Sequence, residues 1–272
     1  MTNAKNNIVE FELLAGSLII VPVNLPNGRR ARFALDTGAG LDIISEKLAK
    51  ELSLPLKGSF TGKRMTGEEI TVKLTKIQSL LFAGKEQRDY LLGVADLFDK
   101  LPKELGGVEG ALSMRFFAQT AVKMDFPKST VEVAPKNLEG HIIPLKKVCQ
   151  QDLALGLLAP MTINGLYKGD FEVDTGTTTT IAPFRAMETL GLTQNDKSLR
   201  KIEGVNETGV PFRRFYGRAK SIEATGRSET MVANSEICFE KVIYDGVIGI
   251  DYLQNFSVIF DLPNSQMALK AK

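Results

Sequence analysis

Phe33-Ala34-Leu35-Asp36-Thr37-Gly38 and Phe171-Glu172-Val173-Asp174-Thr175-Gly176 decide how this chain is read, because the second stretch repeats the first 138 residues later. Each places Phe, then an apolar residue, directly ahead of Asp-Thr-Gly. The register holds beyond them: Ile43, Leu52 and Leu54 match Ile181, Leu190 and Leu192. At an offset of 142, Gly62, Thr66, Gly67, Ser79 and Gly84 match Gly204, Thr208, Gly209, Ser221 and Gly226. Gly107-Val108-Glu109-Gly110 aligns with Gly246-Val247-Ile248-Gly249 at 139, and Asp125-Phe126-Pro127 with Asp261-Leu262-Pro263 at 136. Ordered blocks whose offset drifts by a few residues are what two diverged copies with loop insertions produce.

Within each copy the local pattern is mostly strand. Residues 19–23, 32–35, 70–74 and 122–124 are short apolar or alternating runs bounded by turn formers such as Pro26-Asn27-Gly28. One helix is expected per copy. Ser45 precedes 46–52 and Pro55 stops it; Pro183 opens the second, which ends near Leu190-Gly191. The 272 residues suffice for two cores of about 130 residues each. The expectation is an all-β chain of two similar β-barrel lobes, 1–140 and 141–272, with a cleft between them.

Residue usage removes several chemistries. One histidine, His141, and two cysteines, Cys149 and Cys238, are too few for His-rich zinc hydrolase sites or Cys-rich zinc and iron–sulfur clusters. No metal or cofactor is expected. A formal net charge of +2, with basic residues scattered, gives no nucleic-acid footprint. The longest apolar stretch, 13–23, is broken by Gly16, Ser17 and Pro22 and is too short to span a bilayer. The polar N-terminus, 1–7, has no apolar signal core, which leaves a cytosolic chain or a mature exported form, the latter favoured. Chemistry on this chain therefore rests on carboxylates or hydroxyls.

Leu35-Asp36-Thr37-Gly38-Ala39 and Val173-Asp174-Thr175-Gly176-Thr177 resemble the active-site signatures of aspartic peptidases, the retropepsin-like and pepsin-like family. The resemblance covers approximately residues 8–269. It implies that Asp36 and Asp174 form the catalytic pair, and that Thr37 and Thr175 tie the two loops together across the interface. It also implies an apolar-apolar-Gly segment behind each loop, for which the 107–110 and 247–249 blocks are candidates. In the first of these, polar Glu109 occupies an apolar slot, which Ala111-Leu112 partly restores.

Two adjacent carboxylates repel when both are ionised, so the pair retains a proton over a broad pH range. The ionised member can then deprotonate a water while the protonated one polarises a carbonyl, with neither metal nor histidine. Gly38 and Gly176 permit close backbone approach. Thr177 offers Asp174 a hydroxyl where Ala39 offers Asp36 nothing, which makes Asp36 the expected proton holder. The tips Gly62-Lys63-Arg64-Met65-Thr66-Gly67 and Gly204-Val205-Asn206-Glu207-Thr208-Gly209 read as two mobile, substrate-covering flaps. The expected function is that of a monomeric aspartic endopeptidase acting on peptides or proteins. The alternative is a catalytically silent peptide- or protein-binding member of the same fold. A two-carboxylate glycosidase ranks low, because its acids stand farther apart and the chain has no Trp to stack on a sugar.

Overall fold

Along Leu18–Asn24, Ile19, Val21 and Val23 enter the main core while Ile20 faces a separate cluster with Ala34, Val108 and Ala111. A strand buried on both faces reads as a continuous apolar run, as this one does. The computed structural model describes residues 7–96, 107–206 and 209–272. Nearly all of its regular structure is strand.

Two eight-stranded sheets share one strand order. The first runs Glu12–Leu14, Leu18–Asn24, Arg30–Leu35, Gly110–Leu112, Ile43–Ile44, Lys85–Val94, Glu69–Phe82, Leu56–Lys63. The second runs Lys146–Gln150, Ala154–Ile163, Tyr167–Val173, Gly246–Ile248, Ile181–Pro183, Arg227–Glu240, Pro211–Ala224, Arg200–Val205. Each curls back on itself, through Asn24 opposite Leu81 in the first and through Met161 to Ile163 opposite Ile222 to Ala224 in the second. The two-lobe all-β architecture expected from the repeat is the one observed.

A third sheet joins the halves in the order Ile8–Glu10, Thr130–Val133, Ala121–Asp125, Phe256–Asp261, Gln266–Ala271, His141–Pro144. Its central antiparallel pair sets Ala121 opposite Asp261, Lys123 opposite Ile259 and Asp125 opposite Ser257. At an offset of 136, Lys123 and Ile259 are equivalent positions, and the other pairs interchange when the copies are exchanged. The pairing is therefore isologous, with a local two-fold axis through Lys123 and Ile259. Gly140, at φ +115°, turns the chain into the last strand of this sheet against the Leu269 backbone, where a Cβ would lie 2.5 Å from the Leu269 carbonyl oxygen.

The helices follow their signals. Ser45 accepts a bond from Leu48 N (3.1 Å) and opens Glu46–Glu51; Pro183 opens Phe184–Thr189. Each copy adds a turn that the sequence reading missed, a 3-10 turn at Met114–Phe117 and a helix at Ile250–Leu253. The register of the third repeat block needs correction. Gly110-Ala111-Leu112 pairs with Phe33 to Leu35, as Gly246-Val247-Ile248 pairs with Phe171 to Val173. The structural offset is thus 136 from Gly110 onward, continuous with Asp125 and Asp261. Gly110 and Gly246 lie where a Cβ would strike the Phe33 and Phe171 rings, with Cζ at 2.6 and 2.7 Å, which explains why Phe opens each signature. Glu109 lies outside the buried segment and accepts from Arg29 (2.8 Å) at the surface.

Candidate active site

Each Asp-Thr-Gly loop leaves the end of a central strand and is held from behind. Asp36 N donates to Leu112 O (2.9 Å) and Asp174 N to Ile248 O (3.0 Å), so the apolar segments anchor the two aspartates equivalently. The loops then lock to each other. Thr37 Oγ1 donates to Val173 O (2.6 Å) and accepts from Thr175 N (3.0 Å). Thr175 Oγ1 donates to Leu35 O (2.8 Å) and accepts from Thr37 N (3.1 Å). Both threonines are fully buried, and all four bonds cross between the copies.

This crossed arrangement brings the aspartates together. A Cβ on Gly38 would lie 2.5 Å from Asp174 Oδ1, and one on Gly176 would lie 2.8 Å from Asp36 Cγ. Each glycine is therefore the gap into which the opposite carboxyl fits. Gly38 N donates to Asp36 Oδ1 (3.0 Å) and Gly176 N to Asp174 Oδ1 (2.8 Å). One further donor breaks the symmetry: Thr177 Oγ1 donates to Asp174 Oδ2 at 2.6 Å, while Ala39 has no such group. Burial, then the charge of Asp174 and a hydrogen bond shared with it, push the Asp36 carboxyl well above the ordinary carboxylate range, against the weaker pull of the Gly38 and Ala39 amides.

A third acid stands beside the pair. Glu172, two residues ahead of Asp174, is buried and hydrogen-bonded to Tyr244. Burial first, then the charges of Asp174 and Asp36, push it up to about 8. Its equivalent in the first copy is Ala34, so comparison of the two signatures could have exposed it; nothing in the sequence marked Tyr244. A second unread pair lies behind each loop. In the first copy buried Asp42 accepts from Tyr90 Oη (2.5 Å) and Ser113 N (2.7 Å) and faces Arg115 Nη1 (3.5 Å). In the second, Thr180 occupies the position of Asp42 and donates through N (2.9 Å) and Oγ1 (3.0 Å) to Asp251, which occupies the position of Arg115.

The expected flaps are hairpin tips. In the first, Arg64 N donates to Glu68 O (2.8 Å) and Gly67 takes φ +90°; in the second, Asn206 N donates to Val210 O (2.9 Å) and Gly209 takes φ +85°. Glu207 and Thr208 lie outside the described residues. The first tip reaches the second lobe. Its Met65 O accepts from Ile243 N (2.8 Å), Met65 packs on Ile181, Cys238, Val242 and Val247, and Glu68 accepts from Asn206 Nδ2 (3.3 Å). Lys63 and Val205 end the strands leading into the two tips, and Thr66 sits beside Gly67. Cys149 is exposed and Cys238 buried, both as free thiols. Among the described residues no His, Cys, Asp and Glu side chains cluster to hold a metal, and no helix is long and apolar enough to cross a membrane.

Two β lobes that meet at paired Asp-Thr-Gly loops define the aspartic-peptidase class of architecture. The family model described as gag-polyprotein putative aspartyl protease matches residues 24–101, within the lobe that carries Asp36, and supports an aspartic peptidase family for that lobe. A comparison with curated proteins finds no match.

Proposed function

We propose that the chain is an active aspartic peptidase, carrying both halves of its site on one polypeptide and hydrolysing peptide bonds through Asp36 and Asp174. The observation that carries this reading is the reciprocal fit of each carboxyl into the glycine gap of the opposite loop. Two donors on the Asp174 carboxylate, Gly176 N and Thr177 Oγ1, favour the pair's negative charge there, while the proton resides on Asp36. Asp174 takes a proton from a water poised between the carboxyls as its oxygen adds to the peptide carbonyl. Asp36 donates to the carbonyl oxygen; as the C–N bond breaks, the proton held by Asp174 passes to the leaving nitrogen and a hydroxyl of the tetrahedral carbon returns a proton to Asp36. The crossed threonines keep this geometry at little reorganisation cost. The first hairpin tip, 62–67, and the described part of the second, 204–206 with Gly209, cover the substrate.

The test is hydrolysis of an unstructured polypeptide by the wild type and by Asp36→Asn and Asp174→Asn. Each substitution is expected to reduce turnover by about 10³-fold or more with the melting temperature retained, since general acid–base work is worth about 10²–10⁴-fold. Equal turnover in either variant overturns the mechanism, and a wild type that cleaves nothing leaves a binding protein on the same fold.

A further inference from the structure

The two ends of the groove between the loops and the hairpin tips are not alike. At the first-lobe end, the second lobe sends across the turn between Lys146–Gln150 and Ala154–Ile163. Leu155 N donates to Gly40 O (2.9 Å), four residues beyond Asp36, and Ala154 Cβ lies 3.4 Å from where a Cβ on Gly40 would stand. Leu153 and Ala154 pack on Leu41, Phe60, Val72 and Leu74. Above them, Gln150 Oε1 lies 3.5 Å from a Cβ position on Gly62, in the strand that leads to the first tip. Floor, wall and roof of that end are thus bridged by one hairpin.

Among the described residues, the equivalent positions at the other end carry no such bridge. Thr178, which matches Gly40, is exposed, as is Gly176. Among the described residues, a Cβ on Gly204, which matches Gly62, would meet Phe212 of its own lobe and nothing of the other. The matching hairpin turn of the first lobe, Ala15-Gly16, is exposed, and no atom of the described residues lies within 4 Å of a Cβ on Gly16.

We propose that the cleft is open at one end only, so that its substrates are peptides presenting a chain end within a few residues of the scissile bond. This rests on the peptidase reading above and narrows the endopeptidase expected from the sequence. An extended chain rises about 3.3 Å per residue, so one crossing both ends of the groove would have to pass through the space that Gln150, Leu153 and Ala154 fill. A short end can stop before them. The bond chemistry is unchanged: the water oxygen bonds to the carbonyl carbon, the C–N bond breaks and a proton leaves with the amine.

The experiment compares one flexible peptide of about 25 residues in linear and head-to-tail cyclised form, with products read by mass spectrometry. The wild type is expected to trim the linear form within a few residues of one end and to cut the cyclic form at least 100-fold more slowly. Leu153→Gly, and separately the milder Gln150→Gly, are expected to raise the cyclic rate at least 10-fold. Wild-type cleavage of the cyclic peptide at the linear rate, or internal cuts among the first linear products, overturns the one-ended cleft while leaving the peptidase reading intact. Failure to cleave the linear peptide at all overturns the peptidase reading, and this proposal with it.

Discussion

Among the described residues the Thr177 hydroxyl is the donor on Asp174 that has no counterpart on Asp36, and a bond to a charged acceptor is worth about 1.5–3 kcal/mol. Thr177→Ala is expected to move the acidic limb of the pH–rate profile upward by about one pH unit. Ala39→Ser, which offers Asp36 the missing donor, moves it downward. Profiles of both variants against the wild type check this, and overlaid curves refute it. Glu172 gives a second prediction, on stability. It ionises near 4.5 in the unfolded chain and about 8 in the folded one, so between those pH values the unfolded state holds fewer protons and stability falls as pH rises. Glu172→Gln removes that loss. Its melting temperature relative to the wild type should climb from pH 4.5 to 8 and then level off; a constant difference would show that Glu172 ionises alike in both states. The repeated aspartates and their threonines were legible because an ordered duplication carries the signal twice. Glu172 was marked only by its mismatch with Ala34 between the two signatures, and its chemistry was not legible, because that depends on Tyr244 and the two aspartates, which no local pattern brings together.

At the scale of elements, the turn that closes the first-lobe end carries a visible cost. Gln151 and Asp152 sit at φ +51° and +54°, the left-handed centre of the β-turn that Leu153 N closes on Gln150 O (3.0 Å) in the three-residue loop between paired Gln150 and Ala154, and neither is glycine. The matching turn uses Ala15 and Gly16, at φ +49° and +72°. Replacing Gln151-Asp152 with Asn-Gly is expected to stabilise the chain by about 1 kcal/mol and raise its melting temperature by about 2–4 °C. Thermal unfolding measures this, and a lower melting temperature would mean that the two exposed side chains stabilise the bridge. Strands and the two capped helices followed from alternation, Ser45 and Pro183. The segment behind the first loop did not, because Gly107 and Gly110 present the same glycine spacing as Gly246 and Gly249. Only the contact of Gly110 with the Phe33 ring distinguishes the two registers. The crossing hairpin was equally hidden, since long-range contacts such as Leu153 on Phe60 leave no local trace.

For the whole molecule, the shared sheet decides whether either half stands alone. A fragment ending at residue 140 keeps Ala121–Asp125 but loses its partner Phe256–Asp261, which leaves a long unpaired edge and strips the cover from Val122 and Met124. Residues 1–140 alone are expected to aggregate or self-pair. Co-expression with 141–272 is expected to restore a 1:1 assembly, as size-exclusion chromatography would show. A well-folded monomeric fragment contradicts this.

The isologous pairing about Lys123 and Ile259 is the geometry of two identical subunits, yet one polypeptide supplies both sides. In a symmetric assembly of separate chains, a single codon change is written into both half-sites at once. Here each half has its own codons, so a change on one side can be kept without its mirror image. Asp42 with Arg115 against Thr180 with Asp251, Ala34 against Glu172, and Ala39 against Thr177 are all differences of that kind, available only to a coding sequence in which the two halves are inherited separately and can be selected separately.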